Sequence, residues 1–272
     1  MREDILYSIL ICPKHPNNEV ILENITFVCL DCGIVAHKIS TVPIKVDFTG
    51  GFNSGLLENY AKENYKHWSN WKRENLGFLL KMDIKPGIII DLFAGPGDFH
   101  PYLNNEQLLS LDFTNYSATN IITDLDNDIP LKSECADSIL LMNALEHLEN
   151  HRIIKECHRL LKKEAYMYIT VPFLLDVHLS PSDYHRYTYL YLIKLLHTEK
   201  FEIDYLASSG DFGTFQTLVE HYYRFAINNG SLIAKTLWQF QKIVNYLLKY
   251  LVPVSYRLDF TGGYFIRAKK KS

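Results

Sequence analysis

The 272-residue sequence predicts an α/β protein: a mostly parallel sheet covered by helices, a small β module in front of it, and a helical insertion before the last strand. Three observations carry this. From Lys85 onward, apolar runs of strand length alternate with helical patterns, which is the signature of a sheet whose crossovers are helices. Within that part, Gly87-Ile88-Ile89-Ile90-Asp91-Leu92 is apolar almost throughout, as a strand covered on both faces must be. The first 48 residues instead hold short paired apolar runs and three of the five cysteines.

Taken in order, Glu19–Leu22 and Ile25–Val28 flank Glu23-Asn24 and read as a hairpin, and Val42–Val46 reads as a further edge strand. These make a module over 1–48. Gly and Ser between Phe48 and Gly55 mark a linker, and Leu56–Leu80, with Tyr60, Tyr65, Trp68 and Trp71, reads as one or two helices. Linker and helical cap occupy 49–84. The main domain is 85–272, with strands at 87–92, 108–112, 121–122, 138–142, 166–171, 201–207 and 264–268. Arg152–Leu161 and Leu190–Leu196 are helical, and the insertion spans about 214–255, its helical part being Thr214–Tyr250.

Composition narrows the function. With 28 Lys+Arg against 31 Asp+Glu, the net charge of -3 offers no field for a polyphosphate backbone, so no nucleic-acid partner is expected. The run Ile5–Ile11 ends at Cys12 without a small-residue cleavage site, and lysines interrupt Leu232–Val254, so neither a signal peptide nor a spanning helix is expected. The expectation is a cytoplasmic protein. Cys135 and Cys157 read as buried, inert thiols.

The chemistry gathers at strand ends. Asp91-Leu92-Phe93-Ala94-Gly95-Pro96-Gly97 follows a strand directly; its small residues permit a tight turn and close approach to a ligand, and a helix is expected to follow and present free N–H groups. Asp112, before Phe113, lies about 20 residues on, the interval at which an acid grips ribose hydroxyls in βαβ nucleotide sites. Asp124 can accept from an exocyclic amine, and Leu125 can pack on a purine. Three successive strand ends address one nucleoside.

This order of motifs, from Lys85 to Tyr205 with Tyr264–Ala268, resembles the class I methyltransferases that use S-adenosylmethionine. The resemblance implies a seven-stranded Rossmann-like sheet with an antiparallel last strand. It implies that Asp91, Phe93, Gly95 and Gly97 line the methionine end, Asp112 and Phe113 the ribose, Asp124 and Leu125 the adenine, and Asn143 the wall beside the sulfonium. Phe93 stands where the family's Asp-x-Gly-x-Gly-x-Gly has its first glycine.

In the N-terminal module, Cys12-Pro13-Lys14-His15 and Cys29-Leu30-Asp31-Cys32 give C-x2-H and C-x2-C, two knuckles that can each offer two ligands to a tetrahedral Zn²⁺. So small a module has little core without such a staple. It resembles the zinc ribbons in front of some methyltransferases, with His15 in a cysteine position; a structural zinc and a degenerate ribbon with free thiols both stay open.

A third group, His178-Leu179-Ser180-Pro181-Ser182-Asp183-Tyr184-His185-Arg186-Tyr187-Thr188, follows a parallel strand and so belongs at the ligand edge of the sheet. It resembles a block found in methyltransferases of bacterial surface polysaccharide synthesis. His178 is the first candidate base for removing a hydroxyl proton, His147 the second, and Asp183 the group orienting it. The alternative is that Asp183 pairs with Arg186 and Thr188 caps the next helix. The acceptor implied is a sugar or glycan precursor, with a quinone-like small molecule, RNA or a noncatalytic scaffold as rivals. Amine acceptors of the adenine or glutamine type are disfavoured, because Asn143-Ala144-Leu145-Glu146 lacks the Pro-Pro-aromatic turn those enzymes carry. The aromatic insertion with its spaced lysines suits peripheral contact with a membrane.

Overall fold

The computed structural model describes residues 2–41, 44–49, 68–103, 107–179, 182–209, 229–248, 258–259 and 261–271. The expected linker from Gly50, with Tyr60 and Tyr65, and the two flanks of the insertion, 214–228 and 249–255, lie outside them.

The chain starts with helix α1 (Glu3–Ile9), which buries Leu6 and Ile9. The expected hairpin forms as β1 (Ile21–Glu23) and β2 (Thr26–Cys29), antiparallel, with Asn24 in the left-handed conformation its turn requires. An unanticipated strand β3 (Gly33–Thr41) then pairs with β2. The edge strand expected over 42–46 is described from Ile44 as β4 (Ile44–Asp47), and it is not at an edge. It pairs antiparallel with β3 on one side and parallel with β7 (Ile121–Ile122) on the other. Val46 is fully buried there, and the Lys45 ammonium donates to Asn115 Oδ1 and the Tyr116 carbonyl, both at 2.7 Å, which satisfies a cation inside the sheet.

The other strands are β5 (Ile89–Leu92), β6 (Leu108–Asp112), β8 (Ala136–Met142), β9 (Leu161–Pro172), β10 (Phe201–Ser208) and β11 (Gly263–Lys270). All join one sheet of order β1-β2-β3-β4-β7-β6-β5-β8-β9-β11-β10. From β7 to β10 this is the seven-stranded arrangement expected, with β11 inserted antiparallel between β9 and β10.

Alternation along the strands divides the interior into two cores. Ile90, Leu92, Ile139 and Leu141 face α3 (Arg152–Leu160) and α4 (Tyr189–Thr198), meeting Ile153, Ile154, Leu192 and Leu196. Ile89, Leu140 and Phe265 face α2 (Asn70–Lys81), meeting Phe78 and Leu79. Cys135 and Cys157 are buried in the first core, and burial pushes the Cys135 thiol up to about 11, so neither is a ready nucleophile. A fifth helix, α5 (Leu232–Leu248), lies in the insertion.

The helix expected after Gly97 is absent: among the described residues, only a 3-10 turn, His100–Tyr102, separates β5 from β6. Pro96 and Pro101 explain this, since each lacks a donor and restricts the residue before it. The loop therefore presents isolated backbone N–H groups, not the start of an α-helix.

Candidate active site

The carboxyl ends of β5, β6, β7 and β8 open on one edge, the position where parallel sheets bind ligands. Asp91 is 3% exposed, and its Oδ2 lies 2.8 Å from His100 Nε2. Gly97 is what allows His100 so close. At its φ of 71°, a Cβ would lie 2.7 Å from His100 Nδ1 and 2.6 Å from the Ala118 side chain. Phe93 adopts φ 60°, so the backbone keeps the left-handed turn of a glycine while carrying an aromatic ring that packs against the first core. That conformation costs a non-glycine residue about 1–2 kcal/mol.

Asp112 ties this turn to the next strand. Its carboxylate accepts from Gly95 N–H at 2.9 Å and Thr114 N–H at 2.8 Å. Burial outweighs those hydrogen bonds and pushes the carboxyl up to about 6. Asp124 is exposed and caps its own turn, accepting from Asp126 N–H and the Asn127 amide, whereas Leu125 is buried. Phe93, Phe113, Asp124, Leu125, His147 and Tyr184 line one pocket of about 330 Å³. Asp91, Gly95, Gly97, Asp112 and Asn143 are not among the residues that line it.

Asn143 ends β8 with φ 53°, and its Oδ1 accepts from Trp71 Nε1 at 2.9 Å and from the Thr170 hydroxyl at 3.3 Å. Trp71 itself stacks on Phe265, ring centroids 5.3 Å apart, over Gly263, where a Cβ would meet the indole at 2.4 Å. The cap helix thus reaches Asn143 through one indole nitrogen. Aromatic spacing flagged Trp71, but nothing in the sequence paired it with Asn143. His100 gave no signal at all.

Beyond the pocket, the His147 and His178 rings meet edge to face at 5.0 Å. His147 Nδ1 donates to the Ser182 carbonyl, and burial lowers the imidazole's pKa, so it is held neutral. Asp183 accepts from the His178 backbone N–H at 3.0 Å, and its Oδ2 lies 3.4 Å from His178 Nδ1. Asp183 also pairs with both terminal nitrogens of Arg186; burial opposes ionisation, yet the guanidinium holds the carboxyl below its usual range. Thr188 caps α4 by accepting from Tyr191 N–H. Both structural roles considered for this segment are therefore filled, while Asp183 still faces His178.

Glu146, between these histidines in space, is fully buried, and burial pushes its carboxyl up to about 8. Glu146 is not among the residues that the sequence marked as functional. The available signal was a carboxylate between Leu145 and Leu148, both of which are core residues.

At the far end of the sheet, Cys12, His15, Cys29 and Cys32 bring their ligand atoms within 4.8 Å of one another. Cys12 Sγ lies 3.5 Å from Cys32 Sγ, and His15 Nδ1 lies 3.6 Å from Cys29 Sγ. The two knuckles converge as their spacing required.

Residues 91–169 match the family described as a methyltransferase domain. No curated protein matches the chain. Among solved structures, the [4+2]-cyclase SpnF shares the fold at 14% identity and TM-score 0.50, over 77% of this chain and 86% of that one. A chain of the complex between the Haloferax volcanii Trm112 methyltransferase activator and a methyltransferase is similar at 14% identity and TM-score 0.50, over 76% and 91%. Haemonchus contortus phosphoethanolamine N-methyltransferase 2 in complex with S-adenosyl-L-methionine is similar at 16% identity and TM-score 0.49, over 74% of this chain and 53% of that one. The domain match over residues 91–169 and the sheet order give the chain a methyltransferase domain on an α/β Rossmann-like methyltransferase fold. Among the described residues, no helix is long and apolar enough to cross a membrane.

Proposed function

We propose that the protein O-methylates a sugar or glycan precursor in surface polysaccharide synthesis. One observation carries the reading: a single pocket of about 330 Å³ is lined by the nucleoside-facing residues Phe93, Phe113, Asp124 and Leu125 and also by His147, whose ring meets His178. A donor and a hydroxyl acceptor can therefore be served from one cavity, and its volume falls in the usual range of small-molecule sites, about 300–1,000 Å³. The sugar itself is supported by the resemblance of the His178–Thr188 block.

S-adenosylmethionine, when bound, supplies a methyl group made electrophilic by its sulfonium. In this reading Asp112 and Phe113 hold the ribose, and Asp124 and Leu125 hold the adenine. Asp91 fixes the Phe93–Gly97 turn through His100, Gly95 and Gly97 let the backbone approach the methionine end, and Asn143 walls the sulfonium side under Trp71. His178, oriented by Asp183, takes the acceptor's proton, and His147 stands second in line. Alignment and proton removal are what such a direct displacement asks of a protein.

Residues 1–48 act as a zinc-stapled module, 49–84 as linker and cap, and 85–272 as the methyltransferase domain. Three thiols and one imidazole in mutual reach suit a four-coordinate structural Zn²⁺. Helix α5 exposes Ile233, Leu237, Phe240, Ile243 and Leu247, an apolar stripe suited to peripheral membrane contact.

The test is calorimetric titration with S-adenosylmethionine and S-adenosylhomocysteine, followed by transfer of labelled methyl to nucleotide sugars and lipid-linked glycans. Saturable binding that Asp112→Ala abolishes, with transfer to sugars and not to phenolic acceptors, is expected. Transfer to a quinone-like phenol alone would overturn the glycan reading.

A further inference from the structure

Glu146 poses a problem that the methyl-transfer reading leaves unsolved. The residue is 0% exposed, and among the described residues neither carboxylate oxygen has a hydrogen-bond partner. A buried carboxylate in that state is costly and calls for a partner. The atoms that face it are not donors. His147 Nδ1 lies on the Ser182 carbonyl, so it must carry the ring proton, which leaves Nε2 as a bare lone pair 3.8 Å from Glu146 Oε1. His178 repeats the arrangement. Its Nδ1 lies 3.3 Å from the Asp176 carbonyl and 3.4 Å from Asp183 Oδ2, both acceptors, and its Nε2 lies 3.9 Å from the same Glu146 oxygen. Two imidazole nitrogens and a carboxyl group therefore converge, with all three ligand atoms within 4.8 Å of one another and none at hydrogen-bond distance from another.

That is the environment of a cation. Histidines that bind metal through one ring nitrogen hold the other against a carbonyl or carboxylate, which fixes tautomer and ring orientation. Both histidines are held in that way, one by Ser182 and the other by Asp183 and Asp176. We propose that Glu146, His147 and His178 form a mononuclear site for a divalent transition cation of the Zn²⁺ or Co²⁺ type, bound by one carboxylate oxygen and two imidazole Nε2 atoms. Nitrogen ligands select such ions over Mg²⁺ and Ca²⁺. Zinc–ligand bonds of about 2.0–2.2 Å put tetrahedral ligand atoms roughly 3.3–3.6 Å apart, so the 3.8 and 3.9 Å separations from Glu146 need only a few tenths of an ångström, and the two imidazoles, within 4.8 Å of each other, must also draw together. His178, whose side chain is 43% exposed, can supply that movement.

Three protein ligands leave coordination open, and His147 borders the shared pocket, so an acceptor oxygen can complete the shell. A hydroxyl bound there has a lowered pKa. This consequence rests on the oxygen-acceptor reading, whereas the cation site stands without it. With the cation present, His178 and His147 are ligands, and the cation does the work otherwise given to a histidine base.

The test is titration of the full-length protein with Co²⁺, followed by optical absorption. A nitrogen–oxygen site gives visible d–d bands with no thiolate-to-cobalt charge transfer in the near ultraviolet, so it is read apart from the cysteine knuckles. One equivalent is expected to bind in this form. His178→Ala, on an exposed loop, and Glu146→Gln should each weaken it at least tenfold, and His197→Ala on the outer face of α4 should not change it. Absence of these bands, or bands unchanged in both ligand variants, overturns the site. Calorimetry with S-adenosylmethionine on the same samples separates the two readings. Loss of the cobalt signal in protein that still methylates sugars sinks the cation alone, and a bound cobalt without sugar methylation sinks the glycan reading alone.

Discussion

The titration of Asp112 offers the most direct check on the cofactor site. Its carboxyl is pushed up to about 6 by burial, against the pull of the Gly95 and Thr114 N–H groups. If ribose hydroxyls donate to this carboxylate, the cofactor binds the ionised form, and the free protein must give up a proton whenever it is neutral. A raised pKa thus places the loss on the acid side. At pH 7 about nine-tenths of the free protein is ionised, and at pH 5 about one-tenth, a difference close to tenfold, or about 1.4 kcal/mol. S-adenosylmethionine affinity measured by calorimetry should therefore fall about tenfold from pH 7 to pH 5, with release of a proton to the buffer below pH 6 visible as a buffer-dependent enthalpy. Asp112→Asn should bind weakly at both pH values and lose the dependence. Equal affinity at pH 7 and pH 5 in the unaltered protein would refute the reasoning, as would a variant that keeps the same pH profile.

Other perturbations test the scaffold around that site. Gly97→Ala combines a left-handed backbone, about 1–2 kcal/mol, with a Cβ overlapping His100 and Ala118, about 1–3 kcal/mol, and should lower stability in urea by roughly 2–5 kcal/mol while weakening cofactor binding. Thr188→Ala removes the cap of α4 and should cost about 1 kcal/mol in the same assay, with cofactor affinity unchanged. Cys29→Ser should lose one equivalent of zinc by elemental analysis and lower the Tm, because the knuckles hold a module with little core of its own. Phe240→Glu on the exposed stripe of α5 should abolish flotation with anionic vesicles, and a native protein that never floats would remove the membrane contact.

What could be read from sequence follows from how burial is achieved. The strands β5, β6, β8, β9 and β11 are covered on both faces, so their apolar runs are nearly continuous and stand out. β3 does not stand out: Gly33-Ile34-Val35-Ala36-His37-Lys38 mixes polar and apolar residues, and only Ala36 among them is fully buried. β4 was legible as a strand but not as an interior one, because its parallel partner β7 lies some 75 residues away and is only two residues long. The site shows the same division. Asp91, Asp112 and Asp124 mark strand ends by position alone, whereas the contacts of Glu146 and Trp71 exist only after distant segments meet: α2 with the residue after β8, and His178 with the turn at 145–147.

The joining of the N-terminal strands to the central sheet gives the cysteine knuckles a reach beyond their own module. Lys45 on β4 holds the loop after Asp112 through Asn115 and Tyr116, and the Ile44 carbonyl accepts from the Asn120 amide. Further along the chain, Ile11 N–H donates to the Pro130 carbonyl and Leu10 bridges to Leu131, one residue from the first knuckle and a few residues past Asp124. Both acids assigned to the nucleoside therefore stand on loops braced by the first 47 residues. The usual brace for such loops is the crossover helix, and here, among the described residues, the segment after β5 makes only a 3-10 turn and the chain between β6 and β7 contains no helix. The front strands do the job those helices would do, which is the physical reason the module that carries the cysteine knuckles is continuous with the central sheet and not tethered beside it.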